Sequence, residues 1–239
     1  MYKHFFFDLD NTLMLSRTTM AQEHVPLFRK LCEQKDVVVV SGAQASQIRT
    51  QIPESESRFF ILGQTGNQAL DKAGQTMWQE KFTEKQTSAI YELIEKMKSD
   101  FPPDVRDPND LVENRGSQIS YSPIGHHESL EKKYAFDPGN SRRRSVLAKY
   151  ADDVDHIKNL GADVVPGGTT CFDFFLAGKN KGFNVARLIK HEGWNKKDCV
   201  YLGDALFPGG NDETVVGVIE THSVKDPDDT FIHIAQYLV

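Results

Sequence analysis

The first residues with a pattern suited to chemistry are Asp8 and Asp10, in Asp8-Leu-Asp-Asn-Thr12, directly after the apolar triplet Phe5-Phe6-Phe7. Two carboxylates two residues apart at a strand end reach one pocket if the chain turns as it leaves the sheet. One can then attack phosphorus while the other protonates the leaving oxygen, which is covalent catalysis with acid–base assistance. A pair of this spacing is common on solvated loops, and the flanking apolar triplet and Asn11-Thr12 make it more specific. Ser41 follows a second apolar run and can donate a hydroxyl to phosphate, although a helix cap is an equally ordinary use of a serine there. Lys181, after Gly178-Lys-Asn, can hold a phosphate oxygen and damp repulsion between carboxylates, whereas a lone lysine is usually solvated. Gly203-Asp204 and the Asp212 of Pro208-Gly-Gly-Asn-Asp212 add the acids that a hard cation such as Mg²⁺ needs. A metal shared by nucleophile and phosphate removes the charge barrier to in-line transfer.

These residues need elements that bring them together. Short apolar runs over Tyr2 to Asp8, Asp36 to Ser41, Phe59 to Leu62 and Cys199 to Leu202 read as buried strands. Between them, Leu27 to Gln34, Ala45 to Ile52 and Lys181 to His191 carry helical periodicity. The alternation predicts an α/β, Rossmann-like parallel sheet, with Asp8, Ser41 and Asp204 at the carboxyl ends of its strands, where such sheets bind ligands. The middle of the chain changes character. A hairpin over Gln68 to Glu80 turns at Lys72-Ala-Gly74, a long amphipathic helix covers Glu84 to Ser99, and Phe101-Pro-Pro closes it. Ser117 to Ser122 alternates like a strand, and Val164 to Leu176 is again β-rich. Residues 82–177 therefore read as an inserted α+β cap, and residues 1–81 and 178–239 as the core. The basic run Arg142 to Arg144 reads as a solvated helix face, with a place facing the ligand cleft as the alternative. His126 and His127 are expected to point apart on a strand and so not to share a metal.

Composition narrows the partners. A net charge of −6 lacks the broad basic surface that binding a polyanion requires, so no nucleic acid is expected and a small partner is. With 39% hydrophobic and 26% charged residues, the chain has the balance of a soluble globular protein. No apolar run is long enough to span a bilayer and the N-terminus turns polar by Asp8, so no membrane association and a cytoplasmic location are expected. Cys32, Cys171 and Cys199 are scattered without a C-x-x-C pair, which suggests structural thiols.

Taken in order, Asp8-Leu-Asp-Asn-Thr12, Ser41, Lys181 and Asp204 with Asp212 resemble the haloacid dehalogenase superfamily of aspartyl phosphotransferases. The resemblance implies that Asp8 is the nucleophile and Asp10 the acid/base and a metal ligand through its carbonyl. It also implies that Asp204 completes the Mg²⁺ ligands, that Asp212 orients the metal or Lys181, and that Thr12 and Ser41 contact phosphate. Arg17, Asn114-Arg-Gly116, Ser122-Pro-Ile-Gly125, Gly167-Gly-Thr-Thr-Cys-Phe-Asp173 and Phe207-Pro-Gly-Gly-Asn-Asp212 look like the eukaryotic-type phosphomannomutase branch. That branch grips the distal phosphate with cap arginines and the sugar with a Ser-Phe-Asp turn, and it implies a homodimer through the cap. By position, Arg115 matches a cluster arginine and Arg17 the core arginine that reaches substrate. His126 and Lys133 stand where further cluster arginines are expected, and Cys171 replaces the serine of the sugar turn while Asp173 is kept. Neither a lysine nor a partly protonated histidine reproduces the bidentate fork of arginine. A mutase must hold its bisphosphate by either end, whereas hydrolysis needs only water. The sequence reading is therefore a Mg²⁺-dependent sugar-phosphate phosphatase first, a phosphomannomutase or phosphoglucomutase second, and a non-catalytic phosphosugar-binding protein third.

Overall fold

The computed structural model describes residues 2–16, 18–52, 58–101, 105 and 107–238. The chain forms two compact units, one of Met1–Gln79 with Gly178–Val239 and the other of Glu80–Ala177. In chain order the elements are β1 His4–Asp8, α1 Val25–Gln34, β2 Asp36–Val40, α2 Ala45–Gln51, β3 Phe60–Gly63, β4 Gln68–Leu70 and β5 Thr76–Gln79. The second unit contributes α3 Glu84–Met97, β6 Val112–Asn114, β7 Gln118–Tyr121, α4 Leu130–Phe136, α5 Ser141–Lys149, α6 Ala151–Asn159, β8 Ala162–Gly167 and β9 Cys171–Leu176. The chain returns through α7 Lys181–Glu192, β10 Cys199–Gly203, β11 Glu220–Ser223 and α8 Pro227–Tyr237.

The first unit is a seven-stranded sheet in the order β11-β10-β1-β2-β3-β4-β5. Its first five members run parallel, and β4 and β5 extend the β3 edge as an antiparallel hairpin. Every residue of β1 is buried, as a central strand covered on both faces must be. Side chains alternate between the faces. Phe5, Phe7, Val37, Val39 and Leu202 pack with Phe28, Leu31 and Ile234 from α1 and α8. Phe6, Val38, Val40 and Tyr201 pack with Val185, Leu188 and Ile189 of α7. Parallel pairing places Asp8, Ser41 and Asp204 at one edge, because each follows or ends a strand running the same way.

The second unit holds an antiparallel sheet in the order β6-β7-β9-β8. One face, with Ile119, Tyr121, Phe172, Phe174 and Val164, packs on Ile90, Leu93 and Ile94 of α3, Val146 of α5 and Ile157 of α6. The helix α3 starts on a capping box in which Thr83 Oγ1 accepts from Gln86 N and the Gln86 side chain accepts from Thr83 N. The helices α4, α5 and α6 fall where the sequence reading assigned only the basic run. Strong polarity in α5 and the Pro138-Gly-Asn140 break before it hide the periodicity there, whereas α6 buries Val154 and Ile157 at helical spacing that the sequence reading passed over. His126 and His127 lie in a turn after β7 and not on a strand, and Cys171-Phe-Asp173 opens β9 and is not a turn.

Candidate active site

The chain leaves β1 in one tight coil, with the Leu9 carbonyl accepting from Leu13 N at 3.0 Å and Met14 N at 3.3 Å. Asn11 takes a left-handed conformation at φ 58°, which asparagine tolerates better than most side chains. Asp10 pairs through its backbone with Met14 and is half-buried. Opposite, Asn180 caps α7 by accepting from Phe183 N at 3.0 Å, and the first residue of that helix is Lys181. Lys181 is buried and donates to Asp8 Oδ1 at 2.5 Å and Asp212 Oδ1 at 2.7 Å. Tyr201, fully buried on β10, donates its hydroxyl to the same Asp212 oxygen at 2.6 Å. Both donors thus fall on Oδ1, and Oδ2 of Asp212, like Oδ2 of Asp8, is buried with no protein partner.

Two orphaned carboxylate oxygens in one buried site mark a place for a cation. One carboxylate oxygen from each of Asp8, Asp204 and Asp212 lies within 4.8 Å of the others, the single such trio among the described residues. An all-oxygen set suits a hard divalent ion, with metal–oxygen distances of about 2.1 Å for Mg²⁺. Gly203 leaves the room required, since a Cβ there would stand 2.4 Å from Asp212 Oδ2. Burial, reinforced by Asp212 and opposed by Lys181, pushes the Asp8 carboxyl up to about 7. Burial alone would lower Lys181, yet Asp8 and Asp212 outweigh it and hold the ammonium above its ordinary range.

Thr12 is buried, with its hydroxyl accepting from Asp204 N at 3.1 Å and contacting Asp204 Oδ1 at 3.4 Å. It joins the first loop to the metal acid. Ser41 is buried and its Oγ accepts from Ala43 N at 3.1 Å, so it closes a local turn; the residue at the cap of α2 is Gln44. The Ser41 carbonyl accepts from Thr65 N at 2.8 Å, and Gln64 and Thr65 are two successive non-glycine residues at positive φ. Asn184 of α7, wholly buried, donates to the Thr65 carbonyl at 3.0 Å and so ties that strained loop to the helix that carries Lys181. Sequence reading missed Tyr201 and Asn184 because a tyrosine in an apolar strand and an asparagine in a helix have no pattern of their own. Arg17 lies outside the described residues.

In the second unit the register aligns Glu113, Ser120, Asp173 and Val165 across the sheet, on the face opposite the helices. Ser120 Oγ donates to Asp173 Oδ1 at 2.5 Å. His126 donates from Nε2 to the Ser120 carbonyl at 3.2 Å and turns Nδ1 toward Cys171 Sγ and Glu113 Oε1, both at 3.9 Å. Burial would lower its pKa, but Cys171, Glu113 and the Ser120 carbonyl outweigh that and raise it. Lys133 Nζ donates to the His126 carbonyl at 2.5 Å, and Arg115, in the β6–β7 turn, donates to Glu113 Oε2 at 2.5 Å. The fold thus gathers Arg115, His126, Lys133 and Asp173 around one polar face. Glu113 and Ser120 are its members that sequence reading missed, and the β6–β7 and β7–β9 registers are what align them with Asp173. The solvated reading of Arg142 to Arg144 fails at its middle residue. Arg143 is 1% exposed, and Arg142 stacks over Phe101 at 4.4 Å.

A mainly parallel core sheet with Asp8, Lys181, Asp204 and Asp212 at its carboxyl edge, joined to a separate four-stranded antiparallel cap sheet, is the fold of the haloacid dehalogenase superfamily. Solved structures share it. A haloacid dehalogenase-like hydrolase from Bacteroides thetaiotaomicron superposes with a TM-score of 0.69 at 14% identity, covering 99% of this chain and 100% of that one. SMU.1108c from Streptococcus mutans UA159 gives 0.66 at 15% identity, covering 100% and 99%. Within the superfamily, the family model described as eukaryotic phosphomannomutase matches residues 25–239, and the chain belongs to that family. The phosphomannomutase of Encephalitozoon cuniculi is 26% identical over 240 residues, 98% of this chain and 93% of its own. That of Saccharomyces cerevisiae is 27% identical over 235 residues, 94% and 89%. No described helix is long and apolar enough to cross a membrane.

Proposed function

We propose that the protein is a Mg²⁺-dependent hexose phosphomutase that interconverts 1- and 6-phosphates through a phosphoryl group carried on Asp8. The observation that carries the mutase over the phosphatase is the polar face of the cap sheet, which brings Arg115, His126 and Lys133 together beside Glu113 and Asp173. Hydrolysis has no use for a second phosphate site, whereas a mutase must hold a bisphosphate by the end that is not reacting. The phosphomannomutase relatives favour the same order, which reverses the preference drawn from the cap substitutions alone.

In this reading the Asp8 carboxylate attacks phosphorus, the bond to the sugar oxygen breaks, and Asp10 gives that oxygen its proton. In the reverse half, Asp10 takes the proton of the other sugar hydroxyl as that oxygen displaces Asp8 from phosphorus. Lys181 steadies Asp8 and Asp212, and Ser41 offers its own hydroxyl proton to phosphate. Asp8, Asp204 and Asp212, with the Asp10 carbonyl, would hold Mg²⁺, which when bound would supply the positive charge that lets two anions meet. Thr12 acts here on Asp204 and not on phosphate, given its two contacts there. The hydroxyls of the sugar fall to Asp173, oriented by Ser120.

A phosphatase remains the second reading on one observation: Glu113 already engages Arg115 and faces His126, which weakens the distal cradle. The test supplies Mg²⁺ and α-mannose 1-phosphate with and without a trace of hexose 1,6-bisphosphate, and follows hexose 6-phosphate and inorganic phosphate together. Bisphosphate-stimulated 6-phosphate with little free phosphate is expected, and free phosphate without 6-phosphate gives the phosphatase. A homodimer through the cap belongs to the same reading and is read out by sedimentation.

A further inference from the structure

We propose that Arg143 is a positioning residue for the sugar-binding face: its buried guanidinium fixes the 167–171 turn and, through it, the placement of Asp173 and His126. The inference rests on the reading that this face takes the hexose phosphate.

The guanidinium donates from Nε to Asp137 Oδ2 at 2.9 Å, and from Nη1 to the carbonyls of Gly167 at 2.7 Å and Cys171 at 2.8 Å. Both Nη1 and Nη2 reach the Gly168 carbonyl at 3.3 Å. Asp137 is itself used up, accepting Arg142 N and Arg143 N at 3.0 Å each. The side chain is therefore not available to a ligand: its charge is met by Asp137 and its remaining donors by backbone carbonyls.

The turn needs that help. The β8–β9 ladder ends at the Gly167–Cys171 pair, and the residues between include Gly168 at φ 46°. A segment with two glycines has little stiffness of its own, and its inward carbonyls would be left without donors. What the turn carries is the sugar site. Gly167 abuts Asp173 so closely that a Cβ there would stand 1.8 Å from its Oδ2, so a shift of the turn shifts the acid. Thr170, 2% exposed, contacts Ser122 Oγ at 3.0 Å, and Ser122 donates to the Gly125 carbonyl at 2.9 Å, one residue before His126. One cation thus braces both sides of the face. Lysine keeps the charge but lacks the planar fork that serves Asp137 and three carbonyls together.

The test compares wild type, Arg143→Lys and the exposed control Arg144→Lys in a Cys32→Ser background, where Cys199 is buried and Cys171 is the thiol open to an aromatic disulfide reagent. Arg143→Lys is expected to unfold cooperatively, with Cys171 reacting about tenfold faster and hexose 1-phosphate protecting it only at about tenfold higher concentration. KM for the hexose phosphate rises by a similar factor, while kcat and turnover of p-nitrophenyl phosphate, which has no sugar, stay within about threefold. Wild-type thiol reactivity together with wild-type KM in folded Arg143→Lys overturns the proposal. Faster thiol reaction with unchanged protection and KM also overturns it, and locates the failure in the sugar reading and not in the bracing. If Arg143→Lys does not fold, Thr170→Val cuts the same path without a buried charge. A rise in KM then supports the proposal, and an unchanged KM overturns it.

Discussion

Asp212 receives Lys181 and Tyr201 on one oxygen and keeps the other bare in a buried site. That asymmetry aims a lone carboxylate oxygen at a cation, and Tyr201 supplies half of it from a strand otherwise made of core. Tyr201→Phe is expected to weaken Mg²⁺ binding about tenfold, measured by calorimetry, with little loss of stability because the ring still fills its place. Asp8→Asn removes the nucleophile and lowers turnover by at least about a thousandfold, while a hexose phosphate still binds. Asp10→Asn slows leaving-group protonation and shows as accumulated phosphoryl-enzyme in rapid-quench experiments. On the polar face, the raised pKa of His126 means that its positive charge persists to higher pH and is lost as pH rises through that value. KM for the hexose phosphate should therefore climb as pH rises past the raised value, above the ordinary imidazole range, and His126→Arg should flatten the climb.

At the scale of elements, α5 begins on Asp137, whose carboxylate accepts two backbone N–H groups of that helix and the Arg143 side chain. Removing one partner strands a buried charge, so Asp137→Ala should cost about 3 kcal/mol in denaturant unfolding. Burial would raise the Asp137 pKa, but the hydrogen bonds of Arg143 and Arg142 outweigh it and hold the carboxyl below its ordinary value. A lowered carboxylate contributes stability above its unfolded value of 3.8, and that contribution is lost as pH falls through the folded value. Acid unfolding should come earlier in the Asp137→Ala series only above that range and converge with wild type below it. The capping box of α3 is a smaller contribution, about 1 kcal/mol for Thr83→Ala.

Across the whole molecule, protons and Mg²⁺ compete for Asp8. Its pKa, raised from 3.8 to about 7, means that the metal-free protein loses stability as pH rises through neutrality, because a buried carboxylate must then ionise. A cation that binds only the folded form recovers that loss, so the rise in Tm on adding Mg²⁺ should be larger at about pH 8 than at about pH 6. Scanning calorimetry at the two pH values with equal metal decides it, and an equal rise would place the ion away from Asp8. The parallel core sheet and the acids at its strand ends were legible in the sequence, because a parallel sheet buried on both faces writes continuous apolar runs and delivers whatever follows them to one edge. Asp8 and Asp204 meet for that reason, whereas Lys181 arrives at the start of α7 and Asp212 on the loop after β10. The three helices over 130–159, the burial of Arg143 inside a basic run and the donors that fix Asp212 were not legible. Each depends on a partner distant in sequence, such as Asp137 with the carbonyls of 167–171, or Tyr201 with Asp212. Local periodicity records which side of an element is apolar; which polar groups complete one another is decided only when the elements pack.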